Sequence, residues 1–173
     1  MQGERSARAH QYGDEPVPTL ISLFRRSARM MVDELVRRLD AVGYRGITPS
    51  AHLLFESLPP DGARLTALAT RMGMTHQAAG ELVSDLERRG YLVRHVDPDD
   101  RRARLVTLSA AGADLVRVAL REIGEIERSW SARLADAGLS GDLQAALRGV
   151  LEPPGGSSAV GRRPTGRATT ARR

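Results

Sequence analysis

Three consecutive polar residues, Thr75, His76 and Gln77, open a segment whose apolar residues otherwise recur at helical spacing. A glutamine near the start of a helix can form two hydrogen bonds with adenine in the major groove, and a histidine can donate to guanine or to a phosphate. A threonine at this place caps the helix, whose positive dipole end then faces a phosphate. Because the apolar side of the segment is expected to be buried, its outward residues are predicted to contact DNA. These are Thr75, His76, Gln77, Gly80 and Ser84, with Glu81 beside them.

A second charged cluster runs from Asp97 to Arg102, between two extended segments, and contains three aspartates and two arginines. Arginine at a hairpin tip can enter the narrow, electronegative minor groove. Aspartates near DNA repel phosphates, so we expect one of them to pair with a neighbouring arginine and fix its direction. We assign Asp97 and Asp100 to this framework, with Asp100 beside Arg102, and we predict DNA contacts from Arg101 and Arg102. A calcium loop is excluded, because its glycine and distal glutamate are absent.

The polar residues from Thr75 onward are predicted to lie on the second helix of a helix-turn-helix, and the signal is a small residue followed four positions later by a turn residue. A helix-turn-helix requires a small residue where its helices meet and a residue tolerant of positive φ at the turn, and Ala69 and Gly73 meet both conditions. We therefore predict helices over Leu65–Met72 and Thr75–Arg89. Apolar residues that fit the contact between them are Leu68, Met72, Met74, Ala79, Leu82, Val83 and Leu86.

Helices and a hairpin surround this pair. A long helix is predicted from Thr19 to Val42, a shorter one from Thr48-Pro49, and a β-hairpin from strands Tyr91–Val96 and Ala103–Leu108. The buried side of the shorter helix is assigned to Leu53, Leu54, Phe55 and Leu58.

The C-terminal part begins with a second long helix, capped by Ser109. Its apolar stripe is Leu115, Ala119, Ile123, Ile126, Trp130 and Leu134, and Ser140 is predicted to open a last short helix. The two long helices carry more apolar surface than the small central module can cover. A second copy of the chain is the simplest partner for that surface.

Composition excludes several other classes of protein. The 173 residues include no cysteine, which excludes disulfides and cysteine-based zinc or redox sites. The sequence contains no glycine-rich phosphate-binding loop and no histidines at metal-ligand spacing, so no motif indicates an enzyme. The net charge of +5 lies entirely in five arginines between residues 153 and 173, so it does not itself indicate DNA binding. No apolar run reaches the roughly 18 residues of a membrane span, and a cytoplasmic, nucleoid-associated location is expected.

These stretches together resemble the MarR (multiple antibiotic resistance regulator) family. They are Thr48 to Leu54, Leu68 to Ala78, Leu82 to Tyr91, the run Asp-Pro-Asp-Asp-Arg-Arg at 97–102, and Leu-Ser-Ala-Ala-Gly at 108–112. The last two are the most specific, and the resemblance extends from about Leu20 to Leu151.

The resemblance implies a dimer that reads a palindromic operator in double-stranded DNA, without a cofactor. It also implies a repressor that a small aromatic or phenolic ligand releases, with His52, Phe24 and Tyr44 assigned to the ligand pocket. Two residues depart from the family pattern: Glu81 stands where arginine is frequent, and His52 stands where a large aromatic residue is usual. The alternative left open is a DNA-binding protein without a small-molecule ligand, in an architectural or accessory role.

The predicted fold is mainly α (α+β), a winged helix-turn-helix with a two-stranded wing, flanked by long N- and C-terminal dimerisation helices. Its predicted parts are a flexible arm at 1–17, a MarR-like domain at 18–151 and a disordered basic tail at 152–173. Within the domain, dimerisation helices are assigned to 18–47 and 109–151 and the DNA-binding module to 48–108.

Overall fold

The first helix begins at a threonine cap and lies close to the predicted helix from Thr19 to Val42. The computed structural model of the chain describes residues 18–139 and 141–151. In it, α1 spans Leu20–Ala41, and the side chain of Thr19 accepts a hydrogen bond from the backbone N–H of Ser22. Leu35 and Leu39 are buried, whereas the N-terminal half of the helix exposes large apolar side chains. The predicted arm at 1–17 and tail at 152–173 lie outside the described residues.

The second helix, α2, spans Pro49–Ser57 and is capped by Thr48, whose hydroxyl accepts from the N–H of Ala51 at 3.1 Å. Proline at the first helical position has no N–H to leave unpaired. Ala51 and Leu54 form its buried side. The prediction that Leu53 is buried was wrong, since it lies on the outer side of the helix and is 37% exposed.

The predicted helix-turn-helix is present. Helix α3 spans Leu65–Met72 and α4 spans His76–Arg88, and Gly73 between them has a φ of 63°. Most residues disfavour this left-handed conformation and glycine does not. The carbonyl of Ala69 accepts from the N–H of Met74 at 2.9 Å, which closes the turn. Apolar residues at three- and four-residue spacing hold α4 against the core, and they are Ala79, Val83 and Leu86.

The sheet has three strands, in the order β1-β3-β2, and both pairings are antiparallel. Strand β2 spans Leu92–Val96 and β3 spans Arg104–Leu108, close to the predicted hairpin. The sequence did not predict β1, Ala63–Arg64, because two residues are too few to show an alternating pattern. This strand pairs with β3 and leads directly into α3, so it joins the wing to the helix-turn-helix.

Helix α5 spans Ala110–Asp136. Ser109 caps it as predicted, because its Oγ accepts from the N–H of Gly112 at 3.0 Å and its hydroxyl donates to the carbonyl of Gly90. A Cβ at Gly112 would lie only 2.0 Å from the carbonyl oxygen of Tyr91. Glycine therefore allows the first turn of α5 to pack directly on the chain that enters β2.

The described chain divides into two compact units, and the boundary falls between Ser129 and Trp130. In the first unit the core joins side chains from the helices and the sheet, among them Leu54, Leu68, Val83, Leu92, Val106 and Leu115.

The second unit contains the end of α5 and helix α6, Leu143–Leu151. The carboxylate of Asp142 caps α6 by accepting from the N–H of Ala145 at 3.0 Å, and the predicted cap, Ser140, lies outside the described residues. Leu147, Val150 and Leu151 are exposed. None of the helices described here is long and apolar enough to cross a membrane. The predicted division at residues 47/48 and 108/109 stays a prediction.

Candidate nucleic-acid interface

The first turn of α4 presents its polar residues outward. The hydroxyl of Thr75 accepts from the N–H of Ala78 at 3.2 Å, so this residue is the helix cap. His76 and Gln77 are exposed and lie in the first helical turn. Their donors and acceptors therefore stand at the positive end of the helix dipole, where an anion is stabilised.

Gln77 forms a hydrogen bond on the same face. Its Nε2 donates to Oε1 of Glu81 at 3.0 Å, one helical turn further along. Glu81 is exposed. The contact limits the rotamers of both side chains and leaves them directed away from the core.

Gly80 is half-buried between these residues and α3. A Cβ at this position would meet Cδ2 of Leu65 at 3.5 Å, which is ordinary contact. Space alone therefore does not require glycine here, and its predicted role at the interface stays a prediction.

Ser84 is linked to an arginine that the sequence did not single out. Nη2 of Arg94 on β2 donates to Oγ of Ser84 at 3.0 Å, and Nη1 lies 3.3 Å from the carboxylate of Glu87. Arg94 occupies the same face of β2 as the buried Leu92, because alternate residues of a strand share a face. An arginine in phase with a buried leucine was the signal that could have identified it. A shallow groove of about 580 Å³ is lined by Leu65, Gln77, Gly80, Glu81, Ser84, Arg88 and Arg94.

The hairpin tip is held by a buried aspartate. Oδ2 of Asp97 accepts from Nε and Nη2 of Arg64 at 2.8 and 2.6 Å, and Oδ1 accepts from the N–H of Asp99 at 2.9 Å. These donors, the Asp99 N–H first and Arg64 next, hold the pKa of the Asp97 carboxyl below its ordinary value. Asp97 thus contacts both the hairpin backbone and Arg64 on β1. We call the pair Arg64–Asp97 the wing clasp.

The predicted partner of the aspartates was wrong. Asp100 accepts from the backbone N–H of Arg102 at 3.1 Å, not from its guanidinium, and its other oxygen lies 3.5 Å from Arg64. Arg64 lies 33 residues before Asp97, on β1, so no local pattern could reveal the pair. Arg101 and Arg102 are exposed, and within the described ranges neither guanidinium pairs with a carboxylate. The hairpin tip therefore exposes two guanidinium groups that take no part in the wing clasp.

A mainly apolar cavity of about 240 Å³ lies among α1, α2 and α5. His52 and Glu56 both line it, and Nε2 of His52 lies 3.9 Å from the carboxylate of Glu56. The assignment of His52 to a ligand pocket stays a prediction. The remaining lining residues are Leu35, Leu39, Ile47, Phe55, Leu115, Val116, Ala119, Leu120 and Ile123.

Two residues assigned to the pocket lie elsewhere. Phe24 is in the exposed first half of α1 and is 45% exposed. The hydroxyl of Tyr44 donates a hydrogen bond to Oδ2 of Asp114, which raises the pKa of the phenol. Its ring also lies 6.5 Å from that of Tyr91. The sequence missed the actual lining because three helices contribute to it, and their contacts are not visible in any single periodic segment.

Two exposed elements, the start of α4 and the arginine-bearing hairpin tip, thus belong to the same compact unit. This arrangement is a winged helix-turn-helix, a class of DNA-binding fold. Residues 45–103 match the model of the MarR family. Over these residues the chain is similar to the MarR family.

A curated relative from Thauera aromatica is 27% identical over 93 residues and is described as a candidate transcriptional regulatory protein for the hcr operon. The match covers 53% of this chain and 56% of that protein, so the chain spans about half the length of this relative.

Solved structures share the fold over most of the chain. A probable transcriptional regulator from Pseudomonas aeruginosa is 28% identical, with a TM-score of 0.53 and coverage of 77% of this chain and 94% of that one. The transcriptional repressor CouR bound to a 23-mer DNA duplex is 23% identical, with a TM-score of 0.60 and coverage of 77% and 89%. CouR from Rhodococcus jostii bound to p-coumaroyl-CoA is 20% identical, with a TM-score of 0.56 and coverage of 78% and 92%. The two CouR likenesses show the fold alone.

Proposed function

We propose that this chain is a sequence-specific, double-stranded DNA-binding transcription regulator. The observation that carries the proposal is that two elements are exposed together. One is the polar first turn of α4, and the other is the hairpin tip, whose two arginines take no part in the wing clasp. In this proposal α4 enters the major groove and the tip enters the adjacent minor groove. The likeness to a repressor solved on a DNA duplex supports it.

The proposed regulator is a homodimer that reads a palindromic operator. The first half of α1 exposes Leu20, Ile21, Leu23, Phe24 and Met30, and α6 separately exposes Val150 and Leu151. Exposed apolar surface of this kind on a soluble chain marks an interaction site. A second copy offers the same surfaces and produces two-fold symmetry.

Replacing Arg101 by alanine is expected to weaken binding to the DNA upstream of the chain's own gene by about tenfold, because a minor-groove arginine is lost. Fluorescence anisotropy at near-physiological salt measures the effect. The control is Arg121→Ala, which removes the same charge from an exposed position on α5. Equal affinities for the two variants would contradict the proposed role of the wing tip.

We further propose that the cavity among α1, α2 and α5 takes a small aromatic or phenolic ligand that releases the DNA. Its lining is mainly apolar, and the imidazole of His52 and the carboxylate of Glu56 are the charged or polar groups that a hydroxyl on an aromatic ring would meet. The alternative, a DNA-binding protein without a ligand, leaves the cavity without a role.

Filling the cavity provides the test. Ala119→Leu is expected to leave DNA affinity unchanged and to raise the concentration of benzoate, salicylate or 4-hydroxybenzoate needed for half-release by at least about tenfold. Ala113→Leu, at an exposed position of the same helix, is the matched control. If none of these compounds releases DNA from the unmodified chain, the alternative without a ligand is favoured.

A further inference from the structure

The recognition face of α4 contains a carboxylate where a DNA-binding surface usually has cations. Glu81 is exposed, lies one turn beyond Gln77 and lines the groove between α4 and the wing. DNA phosphates repel this charge, so the residue lowers affinity for DNA in general. A carboxylate at this position is favourable only opposite a hydrogen-bond donor, which some DNA sequences offer and others do not.

The major groove offers only two kinds of hydrogen-bond donor, the N4 amino group of cytosine and the N6 amino group of adenine. Adenine also places the N7 acceptor beside its amino group, and this lone pair faces a carboxylate unfavourably. Cytosine has no acceptor on its own major-groove edge. A carboxylate on this face is therefore best satisfied by cytosine.

The contact with Gln77 positions the carboxylate for this role. Nε2 of Gln77 donates to Oε1 of Glu81 at 3.0 Å, which restrains the orientation of the carboxylate. Within the part of the chain that the structure describes, Oε2 has no donor. One oxygen is thus held by the protein and the other is available to a base.

We propose that Glu81 is a specificity-determining residue that selects a cytosine in each half-site by accepting a hydrogen bond from its N4 amino group. The inference rests on the proposed function, because it takes α4 to be the major-groove helix. Gln77 acts through Glu81 as a positioning residue and retains its own Oε1 for a base or a water.

The experiment is selection of binding sites from a randomised duplex library with the full-length chain, Glu81→Ala and Glu81→Gln. The unmodified chain is expected to enrich a two-fold symmetric sequence with a cytosine at one position of each half-site. Glu81→Ala is expected to lose that cytosine preference while keeping the rest of the sequence. Glu81→Gln is expected to shift it to adenine, because an amide pairs with the N6 and N7 edge. Glu125→Gln on α5 is the control of equal charge change and is expected to leave the selected sequence unaltered.

A second measurement isolates the amino group. Replacing the selected cytosine by a pyrimidine that lacks the 4-amino group is expected to weaken binding of the unmodified chain about tenfold and that of Glu81→Ala by less than twofold. An unchanged selected sequence for Glu81→Ala, or equal losses in both proteins, overturns the inference. If the unmodified chain enriches no sequence, the proposed function itself fails, so the two failures are distinguishable.

Discussion

Gly112→Ala is expected to reduce the free energy of unfolding by about 3 kcal/mol, a large effect for one methyl group. The reason is the 2.0 Å separation between an added Cβ and the carbonyl oxygen of Tyr91, a backbone atom that no rotamer change can move. The same stretch carries the hydrogen bonds from Ser109 to Gly90 and from Gly112 to Ser109. Moving α5 outward to admit the methyl group strains both.

Gly124→Ala is the matched control on the same helix. There the added Cβ would meet only Nη1 of Arg128, at 3.6 Å, so the substitution is expected to stabilise the chain by about 0.5–1 kcal/mol through helix propensity. Urea denaturation followed by circular dichroism gives both values. A loss below about 0.5 kcal/mol for Gly112→Ala would show that the close approach to Tyr91 is not rigid.

Asp97→Asn is expected to weaken specific DNA binding about tenfold, even though it removes a negative charge near the proposed interface. Charge removal alone predicts tighter binding, since the phosphates repel an aspartate less when it is neutral. The wing clasp predicts the opposite, because a neutral amide no longer holds the guanidinium of Arg64 through two charged hydrogen bonds.

Asp99→Asn is the matched control, two residues away and exposed, with the same charge change. It is expected to bind DNA as tightly as the unmodified chain or slightly more tightly. Titration by fluorescence anisotropy separates the two results. Tighter binding by both variants would refute the role given to the clasp.

The clasp also predicts a pH dependence of stability. The pKa of Asp97 is lowered in the folded chain, so the ionised carboxyl contributes stability at pH values above its unfolded pKa of about 3.9. That contribution is lost as the pH falls through the lowered folded pKa. The difference in unfolding free energy between the unmodified chain and Asp97→Asn is therefore expected to be largest near neutrality and to shrink on acidification.

Local rules predicted much of this fold. The threonine caps before α2 and α4 and the turn at Gly73 depend on neighbouring residues alone, and each is found where the sequence places it. The resemblance to the MarR family and the winged helix-turn-helix fold are confirmed by the family model that matches residues 45–103 and by the similar solved structures.

The unpredicted features are those in which residues distant in sequence meet. Strand β1 exists because Ala63 pairs with Val106, and the clasp exists because β1 brings Arg64 to Asp97. Arg94 on β2 is positioned at the candidate interface by its contacts with Ser84 and Glu87 on α4. Hydrophobic periodicity records which side of a segment is buried, but not which segment covers it.

The short strand β1 has a consequence for how such a regulator would leave its operator. Arg64 ends β1 and is also the residue from which α3 starts, so the hairpin and the helix-turn-helix share a backbone joint as well as a charged contact. The two elements that we propose to contact DNA are therefore linked both through the backbone and through the wing clasp. A ligand in the proposed cavity would change the distance between the two bodies of a dimer and leave each surface intact. Rebinding after the ligand departs would then require no local refolding of either element.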